Sequence, residues 1–252
     1  MTLRRFHVPA DSILEGNAIL TRDQAHYLRH VLRLRNGDQV EIFDGEGAGY
    51  SGRVRIRGIE VRVEALERLR ESEEPHQPLV LAQALIKADK FEWILQKGTE
   101  LGVNRFIPLQ TRFCDVRVPK GRIEGRMERW RRIVRDAARQ SCRLTIPEIQ
   151  TPTDLPSLLT LEELSSYKGL FLYEKAEGRW DGTVANAPGH VLCVGPEGGW
   201  HSDEAQAAAA AGFSLFSLGP RILRAETAAL VAVTLLRFWS ADCGLRISDP
   251  TG

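Results

Sequence analysis

Two stretches near the carboxyl end combine glycine, acid and arginine in a pattern that could bind a small molecule through backbone groups. The first is VLCVGPEGGW (191–200), an apolar run into a turn that sets Gly195, Pro196, Gly198 and Gly199 around one carboxylate, Glu197. The second is SLGPRILRAETAAL (217–230), a further strand, Gly-Pro turn and helix carrying Arg221, Arg224, Glu226 and Thr227. Glycine turns at the carboxyl ends of strands are where α/β proteins hold ligands, because backbone unshielded by side chains can approach closely. Phosphate is the usual occupant, and two features disfavour it here. GPEGGW is neither GxGxxG nor a P-loop. The next helix opens with Ser202-Asp203-Glu204, so carboxylates already occupy the end that attracts anions. A flat or folded molecule with a positive centre meets no such repulsion. The structural alternative stays open: a tight turn needing positive φ, Glu197 in water and Glu226 capping a helix.

Both turns need a scaffold, and the surrounding pattern supplies one. LVLAQALI (79–86), NRFIPL (104–109), GLFLY (169–173), HVLCV (190–194) and FSLFSL (213–218) read as buried strands. Helices are expected at 87–101, 122–140, 202–211 and 224–239. Strands alternating with helices imply a parallel sheet covered on both faces. If the strands before the two turns are neighbours, the turns lie side by side and share one crevice.

The first seventy residues read differently. Thr21–Arg35 is expected to be a helix with Ala25, Leu28, Val31, Leu32 and Leu34 near one face. Asn36-Gly37-Asp38 is a turn, QVEIF with Asp44-Gly45 a strand and hairpin, and 51–56 and 61–66 are further strands. The result is a small β-rich module. ESEEPHQP (71–78) is the expected linker, which divides the chain into domains 1–72 and 73–252.

Composition bounds the classes. The chain has 252 residues, 43% hydrophobic and 27% charged, as in ordinary globular proteins. No apolar run is long enough for a membrane span, and Met1–Ala10 lacks a signal-peptide centre, so the expected compartment is the cytoplasm. Cys114, Cys142, Cys193 and Cys243 form no CxxC pair, and His26 and His30 lack a third ligand, so no metal is expected. Residues 112–143 hold 11 Lys/Arg against 4 Asp/Glu. Such a surface suits a phosphate backbone, with a solvated helix face as the plain alternative.

GPEGGW followed by LGPRILRAETAAL resembles the paired signature of the RsmE-type ribosomal RNA methyltransferases of the SPOUT class. The resemblance continues through LQKGTELGV (95–103), IPLQTRF (107–113), RWRRIVRDAARQSCR (129–143) and HYLRHVLRLRNGDQVEIFDGEG (26–47), nearly the whole chain. It implies an amino-terminal PUA-like β-barrel that helps hold RNA, and an α/β domain whose carboxyl-terminal part forms a trefoil knot. It implies a homodimer that uses S-adenosylmethionine to methylate N3 of a uridine in 16S ribosomal RNA of the small subunit.

The cofactor pocket it implies joins Leu172 and Tyr173, then Gly195, Pro196, Glu197, Gly198 and Gly199, then Leu218, Gly219, Ile222 and Leu223, with Thr227 behind them. Arg224 is the expected catalytic residue, stabilising the uracil anion. Glu226 is expected to act as general base, to orient Arg224 or to cap the helix. Arg112, Arg139 and Arg143 are expected at the RNA. Where relatives often carry an acid just before Gln140-Ser141, this chain has Arg139. A ribose 2′-O or transfer RNA methyltransferase of the same class, or a non-catalytic RNA-binding assembly protein, are the alternatives.

Overall fold

The structure is a computed structural model that describes residues 4–71, 77–178 and 187–238. Most of the expected linker (72–76), Trp239 and Cys243 lie outside the described residues. Contacts divide the chain into two compact units: Met1–Glu74 with Arg135–Ile146, and Pro75–Val134 with Pro147–Gly252. The stretch 135–146, which the sequence reading assigned to the second domain, therefore groups with the first unit.

Unit 1 is built on β1 (Arg5–His7), β2 (Ile13–Leu14), β3 (Asn17–Ile19), β4 (Gln39–Phe43), β5 (Ala48–Arg57) and β6 (Glu60–Glu71). They form one sheet in the order β1-β4-β5-β6-β3-β2, antiparallel except for β1 beside β4. Val40 and Ile42, Val54, and Val61 and Val63 point into one apolar core with Phe6, Leu28 and Leu34, the period-two pattern of a strand with one buried face.

The helix expected over residues 21–35 is shorter. Thr21 caps α1 (Arg22–His26) through a reciprocal pair with Gln24. The chain then widens to a bond from Leu32 N–H to the Tyr27 carbonyl, and Arg33 turns at φ 54°. That widening shifts the helical phase, so Val31 faces solvent while Ala25, Leu28 and Leu34 stay buried. The Asp44 carboxylate accepts the N–H groups of Glu46, Gly47 and Ala48 and so holds the DGEG turn.

Unit 2 contains β7 (Leu79–Ala84), β8 (Arg105–Gln110), β9 (Glu148–Ile149), β10 (Thr153–Asp154), β11 (Lys168–Leu172), β12 (His190–Val194) and β13 (Ser214–Phe216). Its helices are α2 (Ala88–Glu100), α3 (Ile123–Gln140, whose last turns group with unit 1), α4 (Leu155–Leu159), α5 (Ser202–Ala210) and α6 (Ala225–Phe238). Every sheet pairing is parallel, in the order β10-β8-β7-β12-β11-β13, with β9 also on β8.

All residues of β7 and β12 are buried, as central parallel strands require. Val80, Ala82, Val191 and Cys193 share a cluster with Leu155 and Leu158 of α4 and Ala205 and Ala208 of α5. Helix α6 packs against β12 and α2 through Ala225, Ala228, Ala229, Ala232 and Val233. Small side chains let it approach closely. Among the described residues no helix is long and apolar enough to cross a membrane.

Candidate functional site

The turns after β12 and β13 enclose, with the end of β11, a cavity of about 640 Å³. The shared crevice exists, but its geometry differs from the simple expectation. β12 and β13 are not neighbours, because β11 lies between them and pairs Phe171 with Cys193 on one side and Leu215 on the other. The cavity therefore has a strand end, Leu172, between two loop walls. Gly195 through Gly199 form one wall, and Leu218, Gly219, Ile222 and Leu223 form the other, with Arg221 and Arg224 beside them.

Two residues expected there do not line it. The Tyr173 side chain packs against the sheet core, and its N–H donates to the Phe216 carbonyl at 2.9 Å. Thr227 is exposed on α6. Both sit one residue or one turn away from cavity positions, and side-chain direction there follows from packing that the sequence pattern does not specify.

The glycines are needed for three separate reasons, not only to make room for a ligand. A Cβ on Gly195 would lie 2.9 Å from Trp200 Nε1. Trp200 is buried, packs on Phe171 with ring centroids 4.3 Å apart, and donates its indole N–H to the Leu172 carbonyl at 2.9 Å. It thereby fastens the first wall to the strand end. A Cβ on Gly198 would meet Phe113 at 3.1 Å. Gly199 and Gly219 adopt φ of 73° and 116°, which side chains resist. At Gly219 alone of these four a Cβ would stand in open space.

The acids that argued against phosphate are already matched. Glu197 accepts from Lys90 Nζ at 2.5 Å. Its carboxylate holds that ammonium above the ordinary lysine range through their hydrogen bond. Glu204 accepts the backbone N–H groups of His201 and Arg112, and Asp203 faces the Arg112 guanidinium at 3.3 Å. Glu174, beside Gly199, is a further carboxylate on the cavity wall. Glu226 is half-buried near Lys90, at 3.5 Å, and not against Arg224. Its Oε2 is buried without a hydrogen-bond partner among the described residues. Arg224 is exposed at the cavity wall.

The three arginines expected at RNA do not form one cluster. Arg112 belongs to unit 2 and is tied to the start of α5. Arg139 and Arg143 belong to unit 1, where Arg139 lies 5.5 Å over the Tyr27 ring and the Arg143 carbonyl accepts from buried Arg5 at 2.8 Å. Sequence reasoning missed Gln83, Lys90, Trp200 and Glu174. Gln83 had a signal, since it is the one amide in an otherwise apolar strand. It is fully buried and donates to the Gly195 carbonyl at 3.4 Å.

A family model described as an RNA methyltransferase domain matches residues 72–237, and one described as an RNA methyltransferase PUA domain matches residues 20–64. The chain is 36% identical over 234 residues to ribosomal RNA small subunit methyltransferase E of Synechocystis sp., spanning 91% of this chain and 75% of that one. It is 30% identical over 231 residues to the protein of the same name from Bacillus subtilis, spanning 87% and 89%. The crystal structure of ribosomal RNA small subunit methyltransferase E from Neisseria gonorrhoeae, bound to S-adenosyl methionine, superimposes with a TM-score of 0.83 at 30% identity, covering 93% of this chain and 96% of that one.

Proposed function

The chain belongs to the RsmE-type family of ribosomal RNA small subunit methyltransferases, and from that premise we propose that it methylates N3 of a uridine in 16S ribosomal RNA with S-adenosylmethionine as donor. The observation that carries this reading is the single cavity shared by two glycine turns and the end of β11. Its volume lies within the roughly 300–1,000 Å³ range of small-molecule sites. Its lining fits a donor with an adenine and a sulfonium: leucine and isoleucine side chains, backbone amides, the open face of Gly219 and the Glu174 carboxylate. When bound, that donor supplies the electrophilic methyl carbon.

The chain's own residues then have distinct tasks. Leu172, Leu218 and Leu223 exclude water from the adenine, while the backbone of the two turns reads its edge. Uracil N3–H is weakly acidic, so its proton must be taken and the resulting charge on O2 and O4 met by a cation. Arg224 at the cavity wall is that cation, and Glu226 takes the proton. Arg112, together with the exposed arginines of α3, attracts the RNA backbone. Splayed, unpaired bases are the usual targets of such enzymes.

Two structural features complete the reading, and a cytoplasmic location is supported by the ribosomal RNA substrate proposed for it. The path from β12 to α6 forms the trefoil knot of the class, supported by β12 inserting between β7 and β11; stretching the chain by its ends should leave a shortened contour. The protein is a homodimer, supported by the part-exposed apolar residues Trp93 on α2 and Val231 and Phe238 on α6; light scattering at the monomer mass would remove that part.

Nucleoside mass spectrometry of ribosomal RNA from a deletion strain tests the reaction. The expected result is loss of one N3-methylated uridine, restored by the wild-type chain. Loss of a ribose methylation, or of a transfer RNA modification, would assign a different reaction to the same fold.

A further inference from the structure

We infer that Glu174 is a specificity-determining residue of the cavity: its carboxylate receives the positive sulfur of the donor, and so holds S-adenosylmethionine more tightly than the neutral sulfide, S-adenosylhomocysteine. The inference rests on the methyl-transfer reading above and adds to it a means of telling a loaded donor from a spent one. When the methyl group leaves, the electron pair of the carbon–sulfur bond stays on sulfur, and the positive charge there is lost.

The backbone fixes where this acid stands. After β11 ends at Leu172, the Ala176 N–H donates to the Tyr173 carbonyl at 3.0 Å, a turn with Glu174 and Lys175 at its tip. The turn is fastened on both sides to the end of β13, where the second wall begins. Tyr173 N–H donates to the Phe216 carbonyl at 2.9 Å, and Ser217 N–H donates to the Gly178 carbonyl at 3.0 Å. From that anchored turn Glu174 reaches across to the first wall. A Cβ on Gly199 would lie 3.2 Å from Glu174 Oε1 and 3.6 Å from Oε2, so both oxygens lie against the glycine. Gly199, at φ 73°, thus leaves room for the carboxylate as well as shaping the turn.

The charges around the cavity single out this residue. Glu197 lines it too, but Lys90 answers that carboxylate at 2.5 Å. Glu174 has no hydrogen-bond or ion-pair partner among the described residues. The other charged lining groups, Lys175, Arg221 and Arg224, are cations. They suit the donor's own carboxylate and the RNA, and they would repel a sulfonium. A sulfonium offers no N–H or O–H, so a carboxylate recognises it by charge, and an amide of the same shape does not replace it. Glu174 is exposed in the free cavity. A bound donor displaces part of the water there, which strengthens the attraction beyond that of an open surface pair.

Titration calorimetry with three ligands reads this discrimination without RNA and without turnover. The ligands are S-adenosylmethionine, S-adenosylhomocysteine and sinefungin, which carries an ammonium in place of the sulfonium. Glu174→Gln should weaken S-adenosylmethionine and sinefungin about fivefold each, the scale of a partly exposed ion pair, and leave S-adenosylhomocysteine unchanged. Glu174→Lys should widen those losses, and added salt should narrow the gap between donor and sulfide in the wild type. Equal losses for all three ligands would put Glu174 at the ribose or the α-ammonium, which they share, and overturn the inference. Affinities unchanged in folded Glu174→Gln would overturn it as well. Wild-type protein that melts cooperatively but binds none of the three would instead remove the methyl-donor reading, and the inference with it.

Discussion

Arg224→Ala is expected to keep S-adenosylmethionine affinity within a few-fold of the wild type while turnover falls by about two to three orders of magnitude. Preorganised groups that meet charge developing in a transition state contribute on that scale. Arg224 is suited to the role because it is exposed at the cavity wall, so its guanidinium can turn to a base entering from solvent. The cofactor's share of the cavity is built mainly from backbone and apolar side chains, which the substitution leaves in place. Calorimetry and single-turnover rates separate the two quantities. A variant with normal turnover would take Arg224 out of the reaction, and one that loses cofactor binding in step with turnover would make it a wall of the pocket.

Gly195→Val is expected to abolish cofactor binding and to lower stability by about 1–3 kcal/mol, the usual cost of overpacking. The added Cβ would stand 2.9 Å from the Trp200 indole nitrogen. That indole cannot retreat easily, because it is buried against Phe171 and its N–H is committed to the Leu172 carbonyl. Forcing it away would also break that hydrogen bond, the link between the first loop wall and the strand end. Thermal denaturation and titration with S-adenosylmethionine measure both effects. A variant with wild-type melting and affinity would show that the Gly195–Trp200 contact does not set the wall.

The sheet was largely legible because its strands are apolar throughout: HVLCV is β12, residue for residue, and LVLAQA is β7. The site was legible where backbone chemistry marked it, at Gly195–Gly199 and Leu218–Leu223. What escaped is what depends on distant partners. Nothing local says that β11 separates β12 from β13, since strand order is a property of the whole sheet. Glu197 reads as a solvated or cofactor-facing acid until Lys90, 107 residues away along the chain, is placed beside it. Trp200 reads as the end of a turn, although its indole holds the cavity together. Val31 was misplaced because one wide turn after α1 changes the helical phase, and hydrophobic periodicity assumes a constant one. The grouping of 135–146 with the amino-terminal unit depends on long-range contacts such as the Arg5 hydrogen bond to the Arg143 carbonyl, which no composition shift announces.

The central claim is that two side-chain-poor turns and a strand end form one receptor for a cationic methyl donor. Isothermal titration of S-adenosylmethionine into the folded protein tests it most directly. Saturable binding of one molecule per chain is the predicted result. Absence of detectable binding to protein that melts cooperatively would contradict it.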